Sequence, residues 1–177
     1  MTDRITWDEY FINVADLASI RSPCERLKVG CVLAKNNRLV SMGYNGFLAG
    51  TNHKSIVRGG HEQATIHAEI NAIADAAKRG ASVDGAVAYI THYPCLNCYK
   101  ALVSSGIKKI VYKLDYRNDT IIDELGYDVS IVKIGMWSDI VIRNLSEYIL
   151  WNIYISKYGL WKYLQIHSKA REPQRWI

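Results

Sequence analysis

The run ATIHAEINAIADAAKRG at residues 64–80, followed by AVAYITHYPCLNCYKALVSSG at residues 86–106, decides how this chain folds. The first segment is rich in Ala, Ile and Glu and closes on Gly80, suited to a helix C′ position, so it predicts a helix over 64–79. The second opens with a β-rich run that predicts a strand over 86–91, turns at His92-Tyr93-Pro94 and continues as a helix over 95–105 closed by Gly106. His67 and Glu69 fall in the first turns of one helix, and Cys95 and Cys98 at the start of the next. Residues two apart do not share one helical stripe, but both can border a site at the helix's N-terminal end.

Outward from this unit, Thr6-Trp7-Asp8-Glu9 fits a capping box, and Trp7, Tyr10, Phe11, Val14, Leu17 and Ala18 recur at helical spacing. They predict a helix over 7–20, which ends before Pro23. Residues 29–34 and 39–44 read as the two strands of a hairpin around Lys35-Asn36-Asn37-Arg38. Gly43-Tyr44-Asn45-Gly46 then permits a loop whose backbone approaches a ligand closely, and residues 47–63 form a long irregular, functional connection. After Gly106 the pattern predicts a strand over 109–114, a polar connection over 115–119, a short helix over 120–125 and a strand over 128–134. The alternation argues for an α/β sandwich in which a mostly parallel sheet is covered on both faces. From Met136 the chain is rich in Trp, Tyr and Ile at helical spacing, which divides it into a domain over 1–135 and an aromatic, helical C-terminal extension over 136–177.

The 177 residues, 49% hydrophobic and 22% charged, suffice for one domain with a sizeable core. Asp3, Arg4, Asp8 and Glu9 interrupt any N-terminal apolar run, and no apolar stretch reaches the ~20 residues that span a bilayer, so a soluble, cytoplasmic protein is expected. Four cysteines in such a protein argue for thiols or metal ligands rather than disulfides. The net charge of +5 is modest and spread widely, and it favours a solvated surface serving phosphorylated small molecules over a nucleic-acid footprint.

One imidazole from His67 and two thiolates from Cys95 and Cys98 would hold Zn²⁺ and leave its fourth position for water, the mark of a catalytic site. The alternative is a closed structural zinc with a fourth ligand from Cys24, Cys31 or His92. H-x-E followed by P-C-x-x-C is the signature of zinc-dependent deaminases. Zinc lowers the pKa of bound water from ~15.7 to ~7. The activated water would attack C4 of a cytosine ring while Glu69, beside the metal but not bound to it, shuttles the proton to the base.

Over residues 21–132 the chain resembles the deoxycytidylate (dCMP) deaminases, especially the compact forms of bacteriophages and large DNA viruses. The resemblance rests on Arg21-Ser22-Pro23-Cys24, Val29-Gly30-Cys31, Gly43-Tyr44-Asn45-Gly46, His67-Ala68-Glu69-Ile70-Asn71-Ala72-Ile73, Pro94-Cys95-Leu96-Asn97-Cys98 and Ser105-Gly106-Ile107-Lys108-Lys109. It implies a cytidine deaminase-like, three-layer α/β/α sandwich with a mixed five-stranded sheet. The implied activity is hydrolysis of dCMP to dUMP and ammonia, with dCTP as a second candidate substrate, in deoxynucleotide supply for dTMP. It further implies a homo-oligomer, a hexamer in many members, with dCTP and dTTP as effectors, in the host cytoplasm for a viral form. On matching positions it makes Asn45 a contact to the sugar and places Arg21, Ser22 and Lys28 where phosphate binds. Some viral members hold a second, structural zinc, for which Cys24, His53 and His61 stand at comparable places, with Glu62 a candidate fourth ligand. The connection between Gly46 and His67 is shorter than in some phage members, and residues 136–177 have no counterpart in the family core. Two other readings stand beside this one: a polynucleotide or tRNA deaminase, and a non-catalytic, zinc-stapled interaction module.

Overall fold

The structure, a computed structural model, describes residues 4–59 and 61–135, with the side chain of His61 excepted. The C-terminal extension expected over 136–177 lies outside the described residues. Helix α1 (Trp7–Ile20) starts at the capping box: the Thr6 hydroxyl accepts the Glu9 N–H, and the Glu9 carboxylate accepts the Thr6 N–H at 2.6 Å. Strands β1 (Gly30–Lys35) and β2 (Arg38–Tyr44) form the predicted hairpin. Its two-residue turn, Asn36-Asn37, has φ of 51° and 58°, the left-handed pair that matches the twist of the flanking strands.

The stretch expected to be irregular closes on itself through short ladders. Strand β3 (Gly46–Phe47) pairs antiparallel with β6 (Thr65–Ile66), outside a second ladder of β4 (Val57–Arg58) with β5 (His61–Glu62). This pairing holds Thr65 and Ile66 extended, so helix α2 (Ala68–Lys78) begins at Ala68 rather than at residue 64. Strand β7 (Val87–His92), helix α3 (Leu96–Ser104), strand β8 (Lys109–Leu114), helix α4 (Ile121–Glu124) and strand β9 (Ser130–Lys133) complete the described order.

The main sheet has the order β2-β1-β7-β8-β9. Its pairings with β7 and β2 are antiparallel on either side of β1, whereas β7-β8 and β8-β9 are parallel, so it is mixed rather than mostly parallel. The helical crossovers after β7 impose parallel order, and the leading hairpin imposes the rest. Alternation along β1 divides the core into two layers. Val32 and Ala34 pack with Phe11, Ile12 and Ala15 of α1, while Cys31 and Leu33 share the opposite layer with Ala68 and Ala72 of α2 and Leu102 of α3. The face of α1 that turns inward is set by close approach. A Cβ on Gly30 would lie 1.9 Å from the Ala15 carbonyl oxygen, so Ala15 and Ala18 meet the sheet while Trp7, Tyr10 and Leu17 stay exposed. No helix among the described residues is long and apolar enough to cross a membrane.

Candidate active site

Two helix N-termini converge beyond one edge of the sheet, and each presents its N-cap residue to the same point. His67 caps α2 and Cys95 caps α3, both with extended backbone (ψ 151° and 161°) and neither making a side-chain cap bond. Their side chains are therefore free to reach past the helix ends, where the positive end of the dipole favours thiolate. Cys98 joins them from the first turn of α3.

The His67 Nδ1 atom lies 3.3 Å from Cys98 Sγ and 3.5 Å from Cys95 Sγ, and the three ligand atoms all fall within 4.8 Å of one another. Tetrahedral zinc with N and S donors sets its ligands about 3.5–3.8 Å apart, so the donor set fits the ion in both type and spacing. Among the described residues the cluster has these three members, and Cys24, Cys31 and His92 are not part of it.

The electrostatics show what a cation would relieve. The two sulfurs influence each other's protonation in opposite directions. The hydrogen bond from Cys98 is the largest influence holding the Cys95 thiol down to about 4, against burial, and donating that bond pushes Cys98 up. The bond to Cys95 leads in raising the pKa of His67. Zinc would displace these protons and stabilise both thiolates. Glu69, in the first turn of α2, is 4% exposed, and burial raises its carboxyl above the ordinary range. It lies against Cys98, beside the metal ligands but outside their cluster. A carboxyl so placed stands where it can exchange a proton with a group bound at the cluster.

A cavity of about 490 Å³ opens above this floor, lined among others by Asn45, Glu69, His92, Arg26, Tyr116 and Arg117. Asn45 is nearly saturated by the protein. Its Oδ1 accepts from the Val29 N–H at 2.8 Å and the Ser22 hydroxyl at 2.7 Å, and its Nδ2 donates to the Leu27 carbonyl at 2.8 Å. One amide hydrogen remains for a ligand oxygen in the cavity. Asn71 of α2 holds the same loop by donating to the Tyr44 carbonyl at 2.8 Å.

The residues expected near a phosphate occupy different settings. Ser22 is buried and serves Asn45, while Arg21 caps α1 and, like Lys28, does not line the cavity. Arg26 and Arg117 do line it. Arg117, which no sequence pattern singles out, lies in the polar connection after β8. A signal was available there, since α/β sheets place ligands beyond the carboxyl ends of their strands. Its backbone, at φ 41°, is left-handed, an unfavourable state for Arg that recurs at functional sites. The cavity mouth is further organised by Tyr116, whose hydroxyl accepts from Arg26 at 3.2 Å while the Arg117 guanidinium lies 5.9 Å from its ring centre.

Of the residues considered for a second zinc, Cys24 is buried and lines the cavity, His53 stacks on Phe47 at 5.1 Å, and the side chain of His61 is outside the described set. Glu62 is engaged locally, accepting from the Ile56 and Ala64 N–H groups at 3.0 and 2.8 Å and from the Ser55 hydroxyl.

Known proteins are similar to this chain in sequence and in fold. Residues 5–114 match the family model of the cytidine and deoxycytidylate deaminase zinc-binding region. The chain is 40% identical over 127 residues to ComE operon protein 2 of Bacillus subtilis, covering 70% of this chain and 67% of that protein. It is 32% identical to the deoxycytidylate deaminase of enterobacteria phage T2, covering 77% of this chain and 95% of the relative. The crystal structure of the dCMP deaminase of cyanophage S-TIM5 in complex with dCMP and dUMP superposes with a TM-score of 0.66 at 34% identity, covering 76% of this chain and 99% of that one. A family match that spans both zinc-ligand segments, and a fold that brings those segments to one point, place this chain in the zinc-binding cytidine and deoxycytidylate deaminase family.

Proposed function

We propose that the protein hydrolyses dCMP to dUMP and ammonia. The observation that carries this reading is one cavity with a metal-ligand triad and a buried carboxyl at its floor and two arginines at its mouth. Held by His67, Cys95 and Cys98, zinc would supply Lewis-acid activation of the attacking water. The chain's own residues do the rest. Glu69 takes a proton from that water, passes it to N3 of the base, and helps deliver a second to the departing amine. Water oxygen bonds to C4, the C4–N bond breaks, and ammonia leaves. The free amide hydrogen of Asn45 orients a sugar oxygen, and Arg26 with Arg117 pairs the 5′-phosphate through charge-assisted hydrogen bonds.

Turnover across dCMP, dCTP, CMP, deoxycytidine and a single-stranded oligonucleotide, with bound zinc quantified, tests the reading. Preferred turnover of dCMP is expected. Inactivity on dCMP with activity on the oligonucleotide would overturn it in favour of a polynucleotide deaminase, and inactivity on every substrate would favour the non-catalytic module. Action on dCTP, supply of dTMP precursors in the cytoplasm, regulation by dCTP and dTTP and a hexameric assembly belong to the same proposal. So does a second zinc at Cys24, His53 and His61, which predicts two equivalents per chain; one equivalent would sink it.

A further inference from the structure

The turn between β7 and α3 carries an imidazole that the chemistry above leaves unused. His92 is half-buried in the cavity wall, and its ring is tied to the sheet. The buried Thr91 hydroxyl accepts the Gly30 N–H at 3.1 Å and lies 2.9 Å from His92 Nδ1. With one lone pair engaged by Gly30, the hydroxyl has its own proton to offer, and we assign that proton to Nδ1. On this hydrogen-bond assignment Nδ1 accepts, and the neutral ring carries its proton on Nε2. Burial pushes the imidazole pKa below its ordinary value, with the charge of Asp16 opposing, in keeping with a neutral ring.

The anchored ring meets Tyr116 edge to face, with centroids 6.4 Å apart and planes at 88°. Tyr116 itself sits half-buried in a connection whose neighbours Asp115, Arg117 and Asn118 are exposed. A line of contact therefore runs from β1 through Thr91 and His92 to Tyr116, and from Tyr116 to both Arg26 and Arg117. We propose that His92 is a positioning residue for nucleotide recognition: its ring sets the plane of Tyr116, and through it the two guanidiniums at the cavity mouth, without touching the substrate.

The inference rests on the nucleotide-deaminase reading of the cavity. Its test is steady-state kinetics of the full chain on dCMP and on deoxycytidine, which lacks the phosphate, with zinc content and thermal melting measured for each variant. His92→Ala should raise KM for dCMP about 3- to 10-fold, the scale of one aromatic pair, with kcat and KM for deoxycytidine near the unmodified values. His92→Phe keeps a ring and should recover most of the loss, whereas His92→Asn keeps an acceptor for Thr91 and should not. In a Tyr116→Ala background His92→Ala should add nothing, because its intermediary is gone. Should His92→Ala fail to fold, His92→Phe and His92→Asn carry the comparison. The proposal is overturned if His92→Ala leaves KM for dCMP unchanged or acts on kcat alone. Rescue by Asn rather than Phe, or a full effect that persists without Tyr116, also overturns it. An unmodified protein inactive on dCMP fails the enzyme reading, whereas an active one indifferent to His92→Ala fails this inference alone.

Discussion

Adding one methyl group to Gly43 should pull the metal centre apart while leaving every ligand residue unsubstituted. Gly43 lies in β2 against the start of α2, and a Cβ there would stand 2.4 Å from the Ala68 carbonyl oxygen, 2.5 Å from the Ala72 nitrogen and 3.0 Å from the Asn71 carbonyl carbon. All three are helix backbone, so no side chain can swing aside. Restoring contact at about 3.4 Å moves α2 outward by roughly 1 Å, and overpacking of this kind costs about 1–3 kcal/mol, here toward the upper end. His67 and Glu69 travel with α2, whereas Cys95 and Cys98 remain on α3. Metal–ligand distances tolerate only about 0.2 Å, and a shift of about 1 Å in a catalytic group costs roughly 100-fold in rate. Gly43→Ala is therefore expected to unfold with about 3 kcal/mol less stability in urea, to retain less zinc after dialysis and to turn over dCMP about 100-fold more slowly. Met42→Ala, at the exposed neighbouring position, should leave zinc and rate unchanged. A Gly43→Ala protein with full zinc and normal kcat would refute the coupling, and one of unchanged stability would refute the close packing behind it.

Three further outcomes test other parts of the structure. Glu69→Gln should lower kcat on dCMP by about 10²–10⁴ while zinc content by atomic emission stays the same; because burial disfavours the charged carboxylate, the zinc-depleted variant should melt no lower than the unmodified protein. At Arg117, with φ 41°, Gly should exceed Ala in stability by about 1 kcal/mol in urea unfolding, since only Gly accepts that backbone freely. Both variants should lose affinity for dCMP relative to deoxycytidine. Burial alone would raise the pKa of Asp8, but hydrogen bonds from Lys109 and Tyr89 outweigh it and hold the carboxyl below 3.8. A depressed carboxyl contributes stability above its unfolded pKa and loses it as pH falls through the lower folded value. The melting-temperature gap between the unmodified protein and Asp8→Asn should accordingly be full at pH 7 and close below about pH 4.

Much of the fold was legible because periodicity and caps are local. The bounds of α1 and β8 match the pattern end to end, and the capping box at Thr6 forms as its spacing implies. The start of α2 was not legible, since the helix-forming run around Thr65 and Ile66 is overridden by pairing with Gly46 and Phe47 far along the chain. The inward face of α1 was hidden for a similar reason: close approach to Gly30 turns Ala15 and Ala18 inward with Phe11 and Ile12, and leaves Trp7, Tyr10 and Leu17 outside.

The site divides along the same line. His67, Glu69, Cys95 and Cys98 could be read from spacing, because metal chemistry admits few residue types and each pair lies within one helical turn. The other residues of the cavity wall could not. Segment 21–29 has no periodicity, and its orientation is set by the bonds of Asn45 to Leu27 and Val29, which leave Arg26 rather than Arg21 or Lys28 on the cavity wall. His92 is fixed through Thr91 by Gly30 of a distant strand, and Tyr116, beside Arg117, meets both His92 and Arg26 from elsewhere in the chain. The sequence by itself determined the candidate metal cluster, since its ligands are local and chemically exacting. Tertiary structure alone decided what surrounds that centre, because cavity walls are assembled from loops whose facing depends on contacts distant in the chain.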